Sequence, residues 1–469
     1  MKIPSVRRTV QIFSDFSGGV SGQREENLLP QRYARAGFNF ASGDGALRGD
    51  PGVSALSAGI GIADKSFAIA GESVEGVYYF RRYDHEEDCP DDKLLFYTAS
   101  HKIYASDLCQ AGAPYLVDMT FSSRPFGVGY RLNGEDVIIL ATETDAMTVW
   151  DGVNDPYQLT DAPRVSSLCV HYERLFATAA GENTAVWFSD DLNVTNWNVS
   201  LDEAGFIENV DEGGGFLKAV SFLDSVYLFR SYGISRLTAY ADQTAFRLSR
   251  LFVSAGRILP DTVCVCGDRI NFLTEQGLYS FDGYDTVRLC PQWDRLILPR
   301  EGSPAAAFAE GNYLLCCRAD FGESGAGNNA LLIAGREQTV CKMPVDFVAA
   351  LSAESRNMAL LCAEGKAAML DKSGKWFGQS LEKRWETPFS DLNRADAQKV
   401  AQLLTLNADG PCTVTVRSER GSRTLSFAGT GAEQKRFSLR GTRFSLEISS
   451  EAPNLCLSKP ELTICTISS

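Results

Sequence analysis

"INFLTEQGLYSFDG", residues 270–283, decides the fold. Ile270 to Leu273 form an apolar-rich run, a Gly-containing turn covers Glu275 to Gly277, and Tyr279 and Phe281 then share one face of a second run. Short apolar runs of period two around a tight turn make a β-hairpin. "VYLFRSYGISRLTAY", from residue 226, repeats the layout with Gly233 at the turn. Five more core runs follow the same grammar: "LLFYT" from 94, "VIILA" from 137, "RLFAT" from 174, "YLLCC" from 313 and "ALLCA" from 359. Long helical patterns are scarce, so the chain reads as all-β.

A second marker gives the spacing. A small or apolar residue followed by Asp and a turn closes a strand at Asp107, Asp151, Asp191, Asp282 and Asp371. From Asp107 to Asp371 is 264 residues, six steps of 44, with markers near 238 and 327 missing or altered. A period of 40 to 50 residues holding several short strands is the sequence form of a β-propeller, four strands to a blade. One blade cannot bury both faces of its sheet, so the blades must stack and the ring must close. The runs count about seven blades, with six or eight left open. After about residue 380 the strand spacing shortens to about ten residues, which suggests a small β-sandwich. The expected division is an N-terminal arm and ring-closing segment over 1–60, a propeller over 61–383 and a sandwich-like domain over 384–469.

Composition narrows the function. The chain has 469 residues, and 59 acidic against 45 basic residues give a net charge of -14, which disfavours tight sequence-independent binding to nucleic acid. The start "MKIPSVRRTVQIF" lacks the apolar run of a secretory signal, and no window approaches 18 apolar residues, so no membrane segment is expected. The chain therefore reads as soluble and made in the cytosol. Thirteen cysteines are scattered without a CxxC pair and read as small buried hydrophobes; Cys264-x-Cys266 supplies two sulfurs, too few for a zinc site.

Eight glycines punctuate the first 55 residues, suiting an extended arm with tight turns. Within it, Arg48-Gly49-Asp50 reads as turn chemistry and not as a receptor signal. In the order "DFSGGV", "NLLP", "ARAGFNFASGDGALRGDPGV", and again in "FSDDLNVTNWN" and "TPFSDLNRADAQKVAQLLTLNADGPCTVTV", the chain resembles the tail hub and tail nozzle propeller proteins of tailed bacteriophages. That resemblance implies a structural virion protein of the tail: a homo-oligomeric, commonly hexameric ring below the portal and its adaptor. It also implies transient contact with viral DNA as the genome is retained and released. Whether Arg7 and Arg8 touch an acidic partner or DNA is not decided by the residues themselves.

A search for chemistry returns little. Gly-x-Ser-x-Gly and the phosphate-cradling glycine loop are absent, and only His85, His101 and His171 exist, none spaced as ligands. "RRYDHEEDCPDD", 81–92, gathers acids around His85 and Cys89 but reads as a solvated loop. Ser189 to Trp197 partly matches the Asp-box of sialidase-type propellers, itself a structural turn, and glycosidase chemistry would need two facing carboxylates besides. Asn193-Val-Thr195 and Asn198-Val-Ser200 match glycosylation sequons that a chain kept from the secretory route does not use. Trp150-Asp151 is a weak echo of WD repeats, and Trp150 reads as core. No catalytic residue, metal or cofactor is assigned, and no enzyme is expected. The rival readings are a glycan-binding or glycan-cleaving propeller and a cytosolic propeller scaffold that binds peptides.

Overall fold

The computed structural model describes the chain except residues 1–5, 14, 24–28, 44, 57–64, 201–202, 241, 323–326, 354–355, 394, 396 and 468–469, and it leaves out the side chains of 6, 7, 353, 356 and 467. Arg7 therefore enters by its backbone alone, and the expected boundary at residue 60 falls outside the described residues. Among these residues strands dominate, three short 3-10 turns occur and there is no α-helix.

Seven blades stand around a central channel. Five are complete four-stranded meanders, spanning 74–120, 126–159, 165–208, 216–253 and 264–288. Blade 6 is built from Ala305–Ala309, Asn312–Ala319, Asn328–Ala334 and Gln338–Lys342. Blade 7 supplies only three strands from its own stretch, Val345–Ala353, Arg356–Ala363 and Lys366–Asp371. Its fourth is Gly52–Ala55, borrowed from the N-terminal arm and paired antiparallel so that Val53 faces Leu370. The seven apolar runs of the sequence are the second strands of the seven blades. Lys93–Thr98, Arg174–Ala179 and Ser225–Arg230 are buried at every position, because a neighbouring blade covers each face.

The aspartate markers lie at or just past the ends of third strands, and three of them tie the next turn; Asp107 instead meets Lys93, and in blade 3 Asp190 ties the turn in place of Asp191. Asp151 Oδ1 accepts from the amides of Val153 and Asn154, and Asp282 Oδ1 accepts from those of Tyr284 and Asp285. Asp371 Oδ1 accepts from Ser373. A carboxylate that replaces a backbone acceptor two or three residues ahead is a side-chain-stabilised turn.

The remaining strands form a sandwich. One sheet runs Ala36–Phe38, Lys383–Glu386, Phe444–Ser450, Cys412–Ser418, Gly421–Phe427. The other places Gln398–Ala408 between Gly431–Gly441 and Cys456–Ile467, with Val6–Ile12 along the last strand. Leu404, Val414, Leu446 and Leu462 fill the space between, and the same apolar cluster continues through Phe38 and Leu47 of the arm to Trp293, Tyr313 and Leu315 of blades 5 and 6. The arm is the stitch. Phe40–Gly43 extends the outer edge of blade 6, and Ala46–Arg48 pairs with the last sandwich strand.

Arg48-Gly49-Asp50 lies inside this stitch. Arg48 pairs with Glu337 at 2.8 Å, the Gly49 amide donates to Leu455 at 2.7 Å, and the Asp50 carbonyl accepts from Gly374 at 3.0 Å. A Cβ on Gly49 would collide with the stem of Lys383, so backbone contact, not display, requires glycine here.

Candidate functional site

In a four-stranded meander the turn from strand one to two and the connection from three to four leave the same edge. Because the first strands of all blades stand side by side around the channel, these loops form one face of the disc. Blades 2, 5 and 6 turn at Asn133-Gly134, Gly267-Asp268 and Glu310-Gly311, with left-handed backbone at Asn133, Gly134, Gly267, Glu310 and Gly311. Glycine and asparagine suit such turns. In blades 3 and 4 the corresponding left-handed positions hold Tyr172 (φ 51°) and Leu223 (φ 52°). Side chains pay about 1 kcal/mol for that conformation. Both are exposed, at 52% and 68%. Leu192, on the third-to-fourth connection of blade 3, is also left-handed (φ 55°) and 63% exposed.

Aromatic rings continue the patch. Tyr240 stands edge-on to Tyr172 with centroids 5.4 Å apart, and exposed Tyr284 follows Gly283, which lies beside Leu223. Exposed carboxylates surround it: Asp155, Glu173, Asp191, Asp224, Asp242 and Asp285. From Lys102 to Lys342 the chain has one lysine, Lys218, which sits in the channel wall and not on this face. Beneath the patch, buried His171 packs 4.3 Å from the Tyr172 ring and its Nδ1 hydrogen-bonds Ser221 Oγ at 2.9 Å. Burial holds its pKa below the ordinary value against the opposing pull of Asp224. The physical character is clear: apolar anchors in an acidic field, held partly in strained turns.

The stretches that the sequence singled out lie elsewhere or serve as supports. Around 81–92 the acids are answered by bases: Arg82 pairs with Asp91 and Asp84, Lys93 with Asp91 and Asp107, and Tyr79 Oη donates to Asp92 at 2.5 Å. His85 instead faces Arg131 at 3.1 Å. Among the described residues no three His, Cys, Asp or Glu side chains gather as a metal set. The Asp-box-like stretch folds on itself. Ser189 Oγ accepts from Leu175 N, Asn196 binds Asp190, and buried Trp197 donates to Val194 O at 2.9 Å, which leaves Leu192 projecting. Trp150 is buried and donates to Asn154 O. Most cysteines are buried, Cys89 and Cys109 are exposed, and burial pushes the Cys169 and Cys341 thiols up to about 12.

The channel of about 740 Å³ receives residues from the inner strands of all seven blades, and Asp261 is the one carboxylate in its wall. Facing carboxylates for glycoside cleavage are thus not assembled there. Sequence reasoning missed the loop patch because Tyr-Glu and Leu-Asp do not advertise a left-handed turn. Tyr284 between Asp282 and Asp285, and Tyr240 two residues before Asp242, were the available signal.

No family model matches the chain, and no curated protein does. Solved structures that align include BBS1N in complex with ARL6DN from a crystal soaked with lead, at TM-score 0.44 and 9% identity over 66% of this chain and 94% of that one. The same complex soaked with mercury aligns at TM-score 0.41 and 9% identity, over 66% and 93%. These findings correct the resemblance to phage tail hub and nozzle proteins: neither of these two structures is a tail protein. The motifs behind it are Gly turns and Asp-capped strand ends, which local backbone chemistry produces in unrelated propellers. The virion-tail role and location, the hexameric ring, the portal and adaptor partners and the DNA contact are withdrawn with it. Among the described residues no helix is long and apolar enough to cross a membrane.

Proposed function

We propose that the chain is a non-catalytic scaffold propeller that docks a protein partner on the loop face of blades 2 to 5, the partner segment being basic with an apolar anchor. The observation that carries this reading is the placement of Tyr172, Leu192 and Leu223 in left-handed turns with their side chains exposed. Folding alone favours Asn or Gly at those positions, as at Asn133 and Gly267 of the adjoining blades; Glu310 of blade 6 is another exception but a polar one, so it is strain combined with an exposed apolar side chain that supports a role outside the fold. The six surrounding carboxylates outnumber the exposed Arg131 and Arg269 of the same face, which favours positive charge and raises the rate of encounter. Exposed tyrosines bring large contact area at low entropy cost.

Selection from a random peptide library tests this, with affinity read by fluorescence anisotropy. The expected winners carry Lys or Arg around one or two large apolar residues, and the double variant Tyr172→Asn, Leu223→Asn binds them at least tenfold more weakly. Because Asn tolerates the left-handed region, the variant keeps its fold. Winners that are acidic, or that bind the variant as well as the parent, overturn the reading.

A further inference from the structure

The opposite mouth of the channel, at the starting ends of the inner strands, carries a separate constellation. Arg124, just before the inner strand of blade 2, reaches across the axis to Asp261 of blade 5 at 3.8 Å. Its guanidinium also covers the ring of Phe347 from blade 7, 4.1 Å from the centroid. Lys218 of blade 4 lines the same cavity. A bulge between Phe216 and Lys218 sets its position in the inner strand. Among the described residues its side chain makes no hydrogen bond or ion pair, although it lines the same cavity as Asp261 and Arg124. Burial depresses its pKa, and the nearby Asp261 opposes that shift only in part.

Glu75 and Asp346, at the same mouth, act with Arg124 on Cys362, whereas Lys218 is met only by Asp261, which Arg124 already engages, so its charge is the one left poorly compensated in a partly desolvated site. Such a charge is costly until an anion meets it. Beyond it the wall is apolar: Val128, Val170, Val220, Val265, Phe308 and Val348. A channel of about 740 Å³ falls within the roughly 300–1,000 Å³ of small-molecule sites, which combine apolar walls with few polar groups. A phosphate dianion would exceed the available charge, and a neutral lipid would leave Lys218 unanswered.

We infer that this mouth binds an amphipathic monocarboxylate, its carboxylate on Lys218 with Arg124 alongside and its apolar body along the valine wall. The site is independent of the loop face, since it opens on the other side of the disc. The carboxylate belongs either to a free acid or to the terminus of an apolar peptide, and the two sources are separable.

Calorimetry on the full chain, with decanoate against decanol and with a hexapeptide ending in Leu-Leu against its amide, is the test. At least one carboxylate probe binds saturably, and its neutral counterpart binds at least tenfold more weakly. Lys218→Met keeps the stem and removes the charge, and weakens that probe about tenfold; Asp261→Asn raises the net positive charge and tightens it. Thermal melts confirm that both variants fold. Decanoate binding alone assigns a free acid, and peptide binding alone a chain terminus. No saturable binding of either carboxylate probe, or binding that Lys218→Met leaves unchanged, overturns the inference.

Discussion

Blades 6 and 7 differ from blades 2 to 5 in what completes them. Each of the latter closes its own meander and leaves its outer strand and loop tips in solvent. Blade 7 lacks a fourth strand until Gly52–Ala55 arrives, and blade 6 continues through the arm into the sandwich. At the seam, edges and charges are consumed internally. Glu386, nearly fully buried, is met by Arg35 at 2.9 Å, Arg417 at 2.9 Å and Arg384 at 3.3 Å, while Glu447 holds Arg384 at 2.9 Å and binds Arg417 as well. The comparison teaches that one half of the ring is committed to its own integrity and the other presents apolar tips. Stability variants should therefore bite at the seam, and binding variants in the open half.

The sharpest way to break that division is a matched pair of outer-strand substitutions. Val53→Asp places a carboxylate among Leu331, Leu361 and Val348, where Val53 is fully buried, and should cost more than about 4 kcal/mol by urea denaturation. Val287→Asp, on the exposed outer strand of blade 5, should cost under about 0.5 kcal/mol. Equal costs would erase the distinction. Next, Glu386→Gln keeps the shape and leaves three arginines around a neutral group, for a loss of about 3 kcal/mol in the same assay.

A third prediction concerns pH. Lys383, buried against Gly49, donates to the carbonyls of Leu381 and Gly374, and burial lowers its pKa to about 8 from 10.5, with Glu451 opposing. Between those values the unfolded chain holds a proton that the folded chain has lost, so stability from this group rises with pH across that window. Melts at pH 7.5 and 10 should show a gain on the order of 2 kcal/mol relative to Lys383→Met, which lacks the titration. A gain, and not a loss, belongs to the open half. Tyr172→Asn and Leu223→Asn should each stabilise by about 0.5–1 kcal/mol while partner binding falls. A destabilised variant would show that the tips serve packing after all.

Much of the ring was legible in the residues. The seven apolar-rich runs are second strands because a neighbouring blade covers both faces of that strand over most of its length. The Asp markers are visible because at Asp151, Asp282 and Asp371 a carboxylate caps the turn after the third strand. The marker near 238 is shifted, since Thr238 ends that strand and Asp242 takes the turn by accepting from Thr244, and the one near 327 is displaced because Asn328–Ala334 is the third strand of blade 6. Other features leave no local trace. Gly52–Ala55 is too short to declare its pairing with a strand about 300 residues away, and Lys218, Arg124 and Asp261 meet only when blades 2, 4 and 5 face the same axis. The apolar tips stayed hidden because left-handed backbone at Tyr172 is set by the hairpin register, not by the tyrosine.

The borrowed strand also sets a timetable. Ribosomes deliver Gly52–Ala55 early, yet its partner Lys366–Asp371 emerges about 300 residues later, roughly 15–60 s at ~5–20 residues per second. For that interval the nascent disc is an open arc with an unlatched strand at one end, and whatever shields that strand during translation governs how much of the product is recovered intact.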